Sequence, residues 1–213
     1  MIVLALNTAM DGCDVALLVD GHVAADVSTP MAKGHDSSLP VLVSEVMTRA
    51  DRRLVEVDRI AVVTGPGSFT GVRVGVAFAR GLALALSRPA VGVSSLAAMP
   101  REPGRVLAML PAKTRPPDLT WWAQEFVDDK PAGDPFEEGL DLLIDRMQHV
   151  SGVVGGLGGA LLSRLPDGIW MRDERPTALE AAKVVSFMSS IDRLPPATPV
   201  YVRPPDATVM LKV

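Results

Sequence analysis

The sequence predicts an α/β protein whose mixed β-sheets are flanked by helices. Two observations in the first hundred residues support this fold class. Short apolar runs of strand length alternate with longer stretches that have the periodicity of helices. The first three strand-like runs are joined by short turns, whereas the later ones are separated by helices. Antiparallel and parallel strands are therefore expected within one sheet.

The chain begins with three strands that can pair in antiparallel fashion. Residues 2–6 form an apolar run, typical of a fully buried strand, and a polar turn follows it. A second strand is predicted over 14–19. Asp20 and Gly21 are a strong two-residue hairpin signal, and they lead to a third strand over 22–28.

Helices and strands alternate after this hairpin. A helix is predicted up to residue 50, with Ser37 and Ser38 as possible caps and Pro40 in its first turn. A strand over 59–63, a helix over 72–86 and a strand over 90–93 follow. This order is the signature of the ribonuclease-H-like fold, which is duplicated in actin-like (ASKHA) proteins.

The second half carries weaker signals. Strands are predicted over 105–110 and 119–127, and several prolines limit their regularity. A helix, a short strand, a glycine-rich turn and a long helix are predicted over 139–147, 151–154, 155–159 and 176–191. We therefore expect two ribonuclease-H-like lobes. Residues 1–98 form the first, with a glycine-rich loop and interface helices, and residues 99–213 form a degenerate second lobe.

Composition excludes several classes of protein. A net charge of -4 and a pI near 5.4 argue against a stand-alone nucleic-acid clamp, which would show a basic face. Cys13 is the single cysteine, which excludes an internal disulfide and fits a reducing cytoplasm. The N-terminal residues read as a strand and not as a signal peptide. The longest apolar run, 72–86, is shorter than a transmembrane helix and contains two arginines, so we expect no membrane contact.

A glycine-rich loop follows the fourth predicted strand. Gly65, Gly67 and Gly71 lie within seven residues, and Gly75 follows in the helix. Backbone amides beside a helix N-terminus suit a phosphate or a closely approaching backbone. The loop is not a P-loop, because Gly71 is followed by Val72 instead of lysine. It also differs from the dinucleotide fingerprint, because Gly71 falls one residue late.

This loop resembles the signature of the bacterial TsaB (YeaZ) family. The matching segment is Gly65-Pro66-Gly67-Ser68-Phe69-Thr70-Gly71-Val72-Arg73-Val74-Gly75. Further matches are the first strand with its turn, Gly34-His35-Asp36-Ser37, Asp58 and Pro199-Val200-Tyr201-Val202-Arg203. The resemblance covers the first hundred residues well and the remainder thinly. It implies a cytoplasmic protein that is a non-catalytic dimerization and scaffold subunit of the complex forming N6-threonylcarbamoyladenosine at position 37 of tRNAs.

The resemblance also implies the partners. The chain is expected to form a homodimer when alone and a heterodimer with the related catalytic subunit TsaD, whereas contact with tRNA is indirect. An ATPase subunit, TsaE, completes the complex, and ATP and metal are expected on the partner subunits. A pair of apolar helices is expected to form the contact. The residues predicted for it are Leu39, Leu42, Val43, Val46, Val72, Val76, Ala79, Arg80 and Ala83. A bulky charged residue at Ala79 or Ala83 is expected to give folded monomers.

The turn after the first strand departs from actin-like ATPases, which have Asp-Thr-Ser there. This chain has Asn7, Thr8 and Ala9, and an uncharged amide is a poor ligand for a hard cation. Asn7, Thr8, Gly155 and Gly156 are therefore only weak candidates for nucleotide contact. We predict no catalytic residue, no metal site and no intrinsic cofactor. The alternative is an autonomous actin-like ATP-dependent kinase or ATPase that uses the glycine loop.

Overall fold

A computed structural model describes residues 1–115, 117–156, 158–188 and 194–200. The end of the predicted helix at 191 and the family match at 201–203 lie outside these residues.

The first sheet has five strands and combines both pairing directions. They are β1 (Ile2–Asn7), β2 (Cys13–Val19), β3 (His22–Thr29), β4 (Arg59–Val63) and β5 (Ala90–Val93), in the spatial order β3-β2-β1-β4-β5. β1, β2 and β3 are antiparallel, whereas β4 and β5 run parallel to β1. Asp20 and Gly21 both have positive φ in the β2–β3 turn, as a tight hairpin requires.

The second sheet repeats this mixed arrangement. It contains β6 (Arg105–Lys113), β7 (Thr120–Val127), β8 (Lys130–Pro131), β9 (Phe136–Gly139), β10 (Gly152–Gly155) and β11 (Trp170–Arg172). The spatial order is β11-β10-β6-β7-β8, and β9 also pairs with β7. β6, β7 and β8 are antiparallel, and β10 and β11 run parallel to β6. The predicted mixed sheets are thus confirmed, although β8, β9 and β11 were not predicted.

Five helices flank the sheets within the described residues. They are α1 (His35–Arg49), α2 (Phe69–Leu86), α3 (Leu140–Met147), α4 (Gly158–Leu162) and α5 (Ala178–Ser186), and a 3-10 turn spans Leu54–Glu56. The predicted capping of the first helix by Ser37 or Ser38 is wrong. Gly34, in the left-handed region, precedes the helix instead, so Pro40 lies inside it. α2 begins three residues earlier than predicted, because Ser68 caps it by accepting a hydrogen bond from the Gly71 N–H at 3.2 Å.

Helices cover both faces of the first sheet. α1 lies on β2 and β3, α2 lies mainly on β4, and the two helices contact each other. α5 returns from the second half of the chain to pack on β1, β2 and β4, where Ala178, Ala181, Ala182 and Val185 are buried. Val3, Leu4, Ala5 and Leu6 of β1 are consequently all fully buried. The division into residues 1–98 and 99–213 stays a prediction, and α5 shows that the first core also uses the later part of the chain.

α2 is the most apolar helix of the chain. It has 18 residues and a mean hydropathy of 1.4, so by length and composition alone it could cross a membrane. Its inner side instead packs on the sheet, with Val72, Val76, Ala79 and Ala83 buried in the first core. About a third of the helix is buried within the chain. Val74, Phe78, Leu82 and Leu86 are half-buried, and the remaining residues of the helix are exposed.

Candidate functional site

The turn after β1 uses its polar groups within the chain. The Asn7 side-chain amide donates hydrogen bonds to Asp14 Oδ2 and to the Pro176 carbonyl, each at 2.8 Å. Asn7 Oδ1 accepts from the Ala9 N–H at 3.0 Å. Asn7 and Thr8 are both fully buried. The amide that replaces the carboxylate of actin-like ATPases therefore links the turn to β2 and to the chain entering α5.

An ion pair between the buried Asp14 and the half-buried Arg175 lies beside this turn. Arg175 donates two hydrogen bonds to the carboxylate of Asp14, at 2.7 and 2.9 Å, and a third to Ser28 Oγ at 2.6 Å. The Asp14 side chain is 2% exposed, and its carboxylate raises the pKa of the Arg175 guanidinium. A guanidinium from the chain itself thus occupies the position beside this carboxylate where a cation could otherwise bind. Sequence reasoning missed this pair, although Asp14 is the one charged residue of the otherwise apolar strand β2.

The glycine loop packs directly on the same turn. A Cβ added at Gly67 would overlap the carbonyl oxygen of Ala9, and one added at Gly71 would overlap that of Thr8. A Cβ at Gly75 would overlap Thr8 Oγ1. The Ser68 N–H donates to the Ala9 carbonyl at 2.7 Å, and Thr8 Oγ1 donates to the Gly71 carbonyl at 2.7 Å.

These contacts show that the glycine-rich segment 65–75 packs against the turn after β1. Gly65 has a φ of 100°, which favours glycine, and Pro66 follows it through a cis peptide bond. Gly71 and Gly75 lie close to the backbone and the side chain of Thr8 in the turn after β1. Phe69, Thr70 and Arg73 are exposed at the start of α2.

The glycines of the second half also serve close packing. Gly155 has a φ of 126°, and a Cβ there would overlap the Met109 carbonyl on β6. Gly156 lies against the Pro111 ring, and its carbonyl accepts a hydrogen bond from Trp121 Nε1 at 3.2 Å. Among the described residues, Gly155 and Gly156 form no hydrogen bond with Asn7 or Thr8. Within the same residues, no group of three His, Cys, Asp or Glu side chains could hold a metal ion.

The predicted interface residues need a correction. Eight of the nine are buried in the first core, between 0% and 7% exposed, and only Arg80 is exposed. They cannot form an exposed apolar patch, because α2 and α1 turn these side chains toward their own sheet. A charged residue at Ala79 or Ala83 would therefore disrupt the core instead of giving folded monomers.

Other residues of the two helices form an exposed surface. We call it the outer face; it consists of Val41 on α1 and of Phe69, Arg73, Ala77, Arg80, Gly81 and Leu84 on α2. Val41 is 64% exposed and Leu84 is 83% exposed. The spacing from Arg73 through Ala77 and Arg80 to Leu84 keeps these residues on one side of α2. Ala77 and Gly81 are small, and a Cβ at Gly81 would meet no atom within 4 Å.

The basic residues near α1 do not add a basic face. Arg49 pairs with Glu45, and Arg52 and Arg53 both lie within ion-pair distance of Glu56. Arg59 is buried and donates to carbonyls at the end of α5.

Comparisons with known proteins agree with this geometry. Residues 27–108 match the family model of TsaD, the tRNA N6-adenosine threonylcarbamoyltransferase. The tRNA threonylcarbamoyladenosine biosynthesis protein TsaB of Escherichia coli K12 is 35% identical over 162 residues, covering 71% of this chain and 68% of the relative.

Solved structures extend the match to almost the whole chain. An uncharacterised Pseudomonas aeruginosa protein with similarity to peptidase YeaZ superposes with a TM-score of 0.78 at 26% identity, covering 95% of this chain and 99% of that one. The ethanolamine utilization protein EutJ of Carboxydothermus hydrogenoformans superposes at a TM-score of 0.50 and 13% identity, covering 86% and 89% of the two chains, and thus shares the fold alone. The fold is actin-like, and the chain belongs to the TsaB (YeaZ) family.

Proposed function

We propose that this chain is a non-catalytic scaffold subunit of the cytoplasmic complex that forms N6-threonylcarbamoyladenosine at position 37 of tRNAs. It binds a TsaD-type catalytic subunit through the outer face of α1 and α2, and in its absence forms a homodimer through the same face. An ATPase subunit of the TsaE type, ATP and metal belong to the partner side of the complex. The chain contributes no catalytic group, and its contact with tRNA is indirect.

The exposed apolar side of α2 carries this proposal. A helix that is apolar nearly all round is stable in water only when most of its surface is covered, yet Leu84 is 83% exposed. The small residues Ala77 and Gly81 allow a partner helix to approach the backbone of α2 closely. The match of residues 27–108 to the TsaD model supports a related chain as the partner, since related folds can pair equivalent helices.

The turn after β1 supports a non-catalytic role over an autonomous kinase or ATPase. Phosphate chemistry requires a bound cation and free donors aimed at the phosphates. In this chain Asn7 directs its amide to Asp14 and Pro176, and Arg175 covers the Asp14 carboxylate. Gly67 and Gly71 lie against the backbone of the turn, so the absence of a side chain at these positions allows the loop to pack on the turn.

Substitution of Gly81 by leucine tests the proposed surface. Because Gly81 lies in an exposed helix with open space around it, Gly81→Leu should not destabilise the fold and should raise helix propensity. On the outer face, however, a leucine prevents close helix approach. We expect loss of measurable binding to the TsaD-type chain and of self-association in analytical ultracentrifugation.

A matched variant distinguishes this effect from a general one. Gly159→Leu makes the same change at an exposed helical glycine of α4, also with no atom within 4 Å of the added Cβ, and should leave both associations unchanged. Unimpaired binding by Gly81→Leu, or equal impairment by both variants, would contradict the proposed surface.

A further inference from the structure

Two arginines flank the most exposed leucine of α2. Arg80 lies one helical turn before Leu84. Arg88 follows the end of the helix, where Ser87 is in the left-handed region, and it lies on the same surface as the other two residues. Together with Ala83, Ser87 and Ala90 they line a shallow depression of about 450 Å³. Both arginines are exposed. Among the described residues neither makes an ion pair, whereas Arg49 on the neighbouring helix α1 is paired with Glu45.

The charge of this depression constrains what can cover it. Covering Leu84 also removes water from the guanidinium groups on either side, and a desolvated cation needs a hydrogen-bonded anion. A second copy of this chain does not supply one, because a two-fold contact brings the same surface of each copy together. Centred on Ala77 and Gly81, such a contact would place Arg80 close to its own symmetry copy, and the like charges would repel.

We propose that the depression around Leu84 binds a partner helix that carries carboxylates opposite Arg80 and Arg88. The outer face then prefers a heterologous acidic helix to a second copy of this chain. This inference rests on the proposed function, because it uses the same face, but it adds the chemistry of the partner and the reason why the heterodimer displaces the homodimer.

A charge-reversed copy of the chain serves as an acidic probe. Wild-type protein is mixed with a labelled Arg80→Glu/Arg88→Glu variant, and dissociation constants are measured by fluorescence-detected sedimentation at 50 and 500 mM NaCl. At 50 mM NaCl the mixed pair should associate about tenfold more tightly than wild type with itself, because Arg80 of the wild-type copy then lies close to a carboxylate instead of a second Arg80. At 500 mM NaCl screening should reduce this advantage to about twofold, since the Debye length falls below about 5 Å. An Arg115→Glu copy, reversed at an exposed position outside α1 and α2, should show no advantage.

The outcomes separate this inference from the proposed function. A mixed pair that is no tighter than wild type alone overturns the charge preference, and so does an advantage that persists at high salt. If Gly81→Leu still abolishes binding to the TsaD-type chain in that case, the outer face is still supported as the docking surface, and only the acidic character of the partner helix is overturned.

Thermal unfolding checks that the reversed variant is folded. If it is not, Arg80→Gln/Arg88→Gln replaces it, and the wild-type homodimer should then be about fivefold weaker than that of this neutral variant at 50 mM NaCl. Equal affinities would overturn the inference.

Discussion

Replacing Arg175 by methionine tests the ion pair that closes the turn after β1. Methionine keeps much of the aliphatic length but removes the three hydrogen bonds to Asp14 and Ser28. Asp14 would then keep the hydrogen bonds donated by Asn7 and Ser28 but lose its countercharge. Its side chain is only 2% exposed. We expect a less stable protein whose sheets are otherwise unchanged.

The magnitude follows from the burial of the two partners. Removing one partner of a fully buried pair costs about 3–5 kcal/mol. The Arg175 side chain is 39% exposed, so water replaces part of the lost interaction, and we expect about 2–3 kcal/mol. For a chain of 213 residues this corresponds to a fall in Tm of about 5–10 °C.

Urea and thermal unfolding followed by circular dichroism measure this difference. The matched control is Arg164→Met, which breaks a pair of the same length with Asp141 where the side chains are 48% and 86% exposed. That variant should lose less than about 1 kcal/mol. An Arg175→Met variant that is as stable as Arg164→Met would refute the view that the pair holds the turn closed.

Substitutions of Gly71 and Asn7 and the reactivity of Cys13 test the surroundings of this turn. Gly71→Ala should destabilise the protein by about 2–4 kcal/mol, because the added methyl overlaps a carbonyl oxygen, whereas Gly81→Ala should be neutral or slightly stabilising in the same unfolding assay. Asn7→Asp should bind no ATP in a calorimetric titration and should be destabilised, since it places a second buried carboxylate 2.8 Å from Asp14. The repulsion between the two carboxylates raises a carboxyl pKa in the folded variant. The loss of unfolding free energy relative to wild type should therefore be smaller at pH 5 than at pH 8. A loss that does not depend on pH would argue against this repulsion. Burial and the neighbouring carboxylate raise the pKa of the Cys13 thiol to about 11, so it should react with a disulfide reagent at pH 8 only after unfolding.

The fold was predictable because its signals are local. The Asp20-Gly21 turn fixes the hairpin, and the alternation of strands and helices after it fixes the parallel part of the sheet. The start of α1 was misplaced because proline is common in a first turn, so Pro40 indicated a later start than Gly34 allows. The short strands β8, β9 and β11 were not predicted. β8 and β9 depend on pairing with β7, β11 depends on pairing with β10, and their few residues carry no periodic signal.

The site was less predictable because its contacts join distant parts of the chain. Asp14 and Arg175 are 161 residues apart, and no sequence pattern relates them. The residues predicted for the interface lie on the buried side of α2 for a different reason. Two stripes of small residues run along this helix, one through Ala79 and Ala83 and one through Ala77 and Gly81. In a helix that is apolar all round, periodicity alone does not show which stripe faces the sheet.

We propose that this chain supports tRNA modification without catalysing it. The most direct test of this proposal is the yield of N6-threonylcarbamoyladenosine in tRNA from a reconstituted mixture of this chain, the TsaD-type and TsaE-type chains, ATP and a threonylcarbamoyl-adenylate source. We predict that omitting this chain, or replacing it with Gly81→Leu, removes most of the yield, that Gly159→Leu restores it in full, and that this chain alone forms no product. An unchanged yield after omission would contradict the scaffold role, and turnover of ATP by this chain alone would point to an enzyme instead.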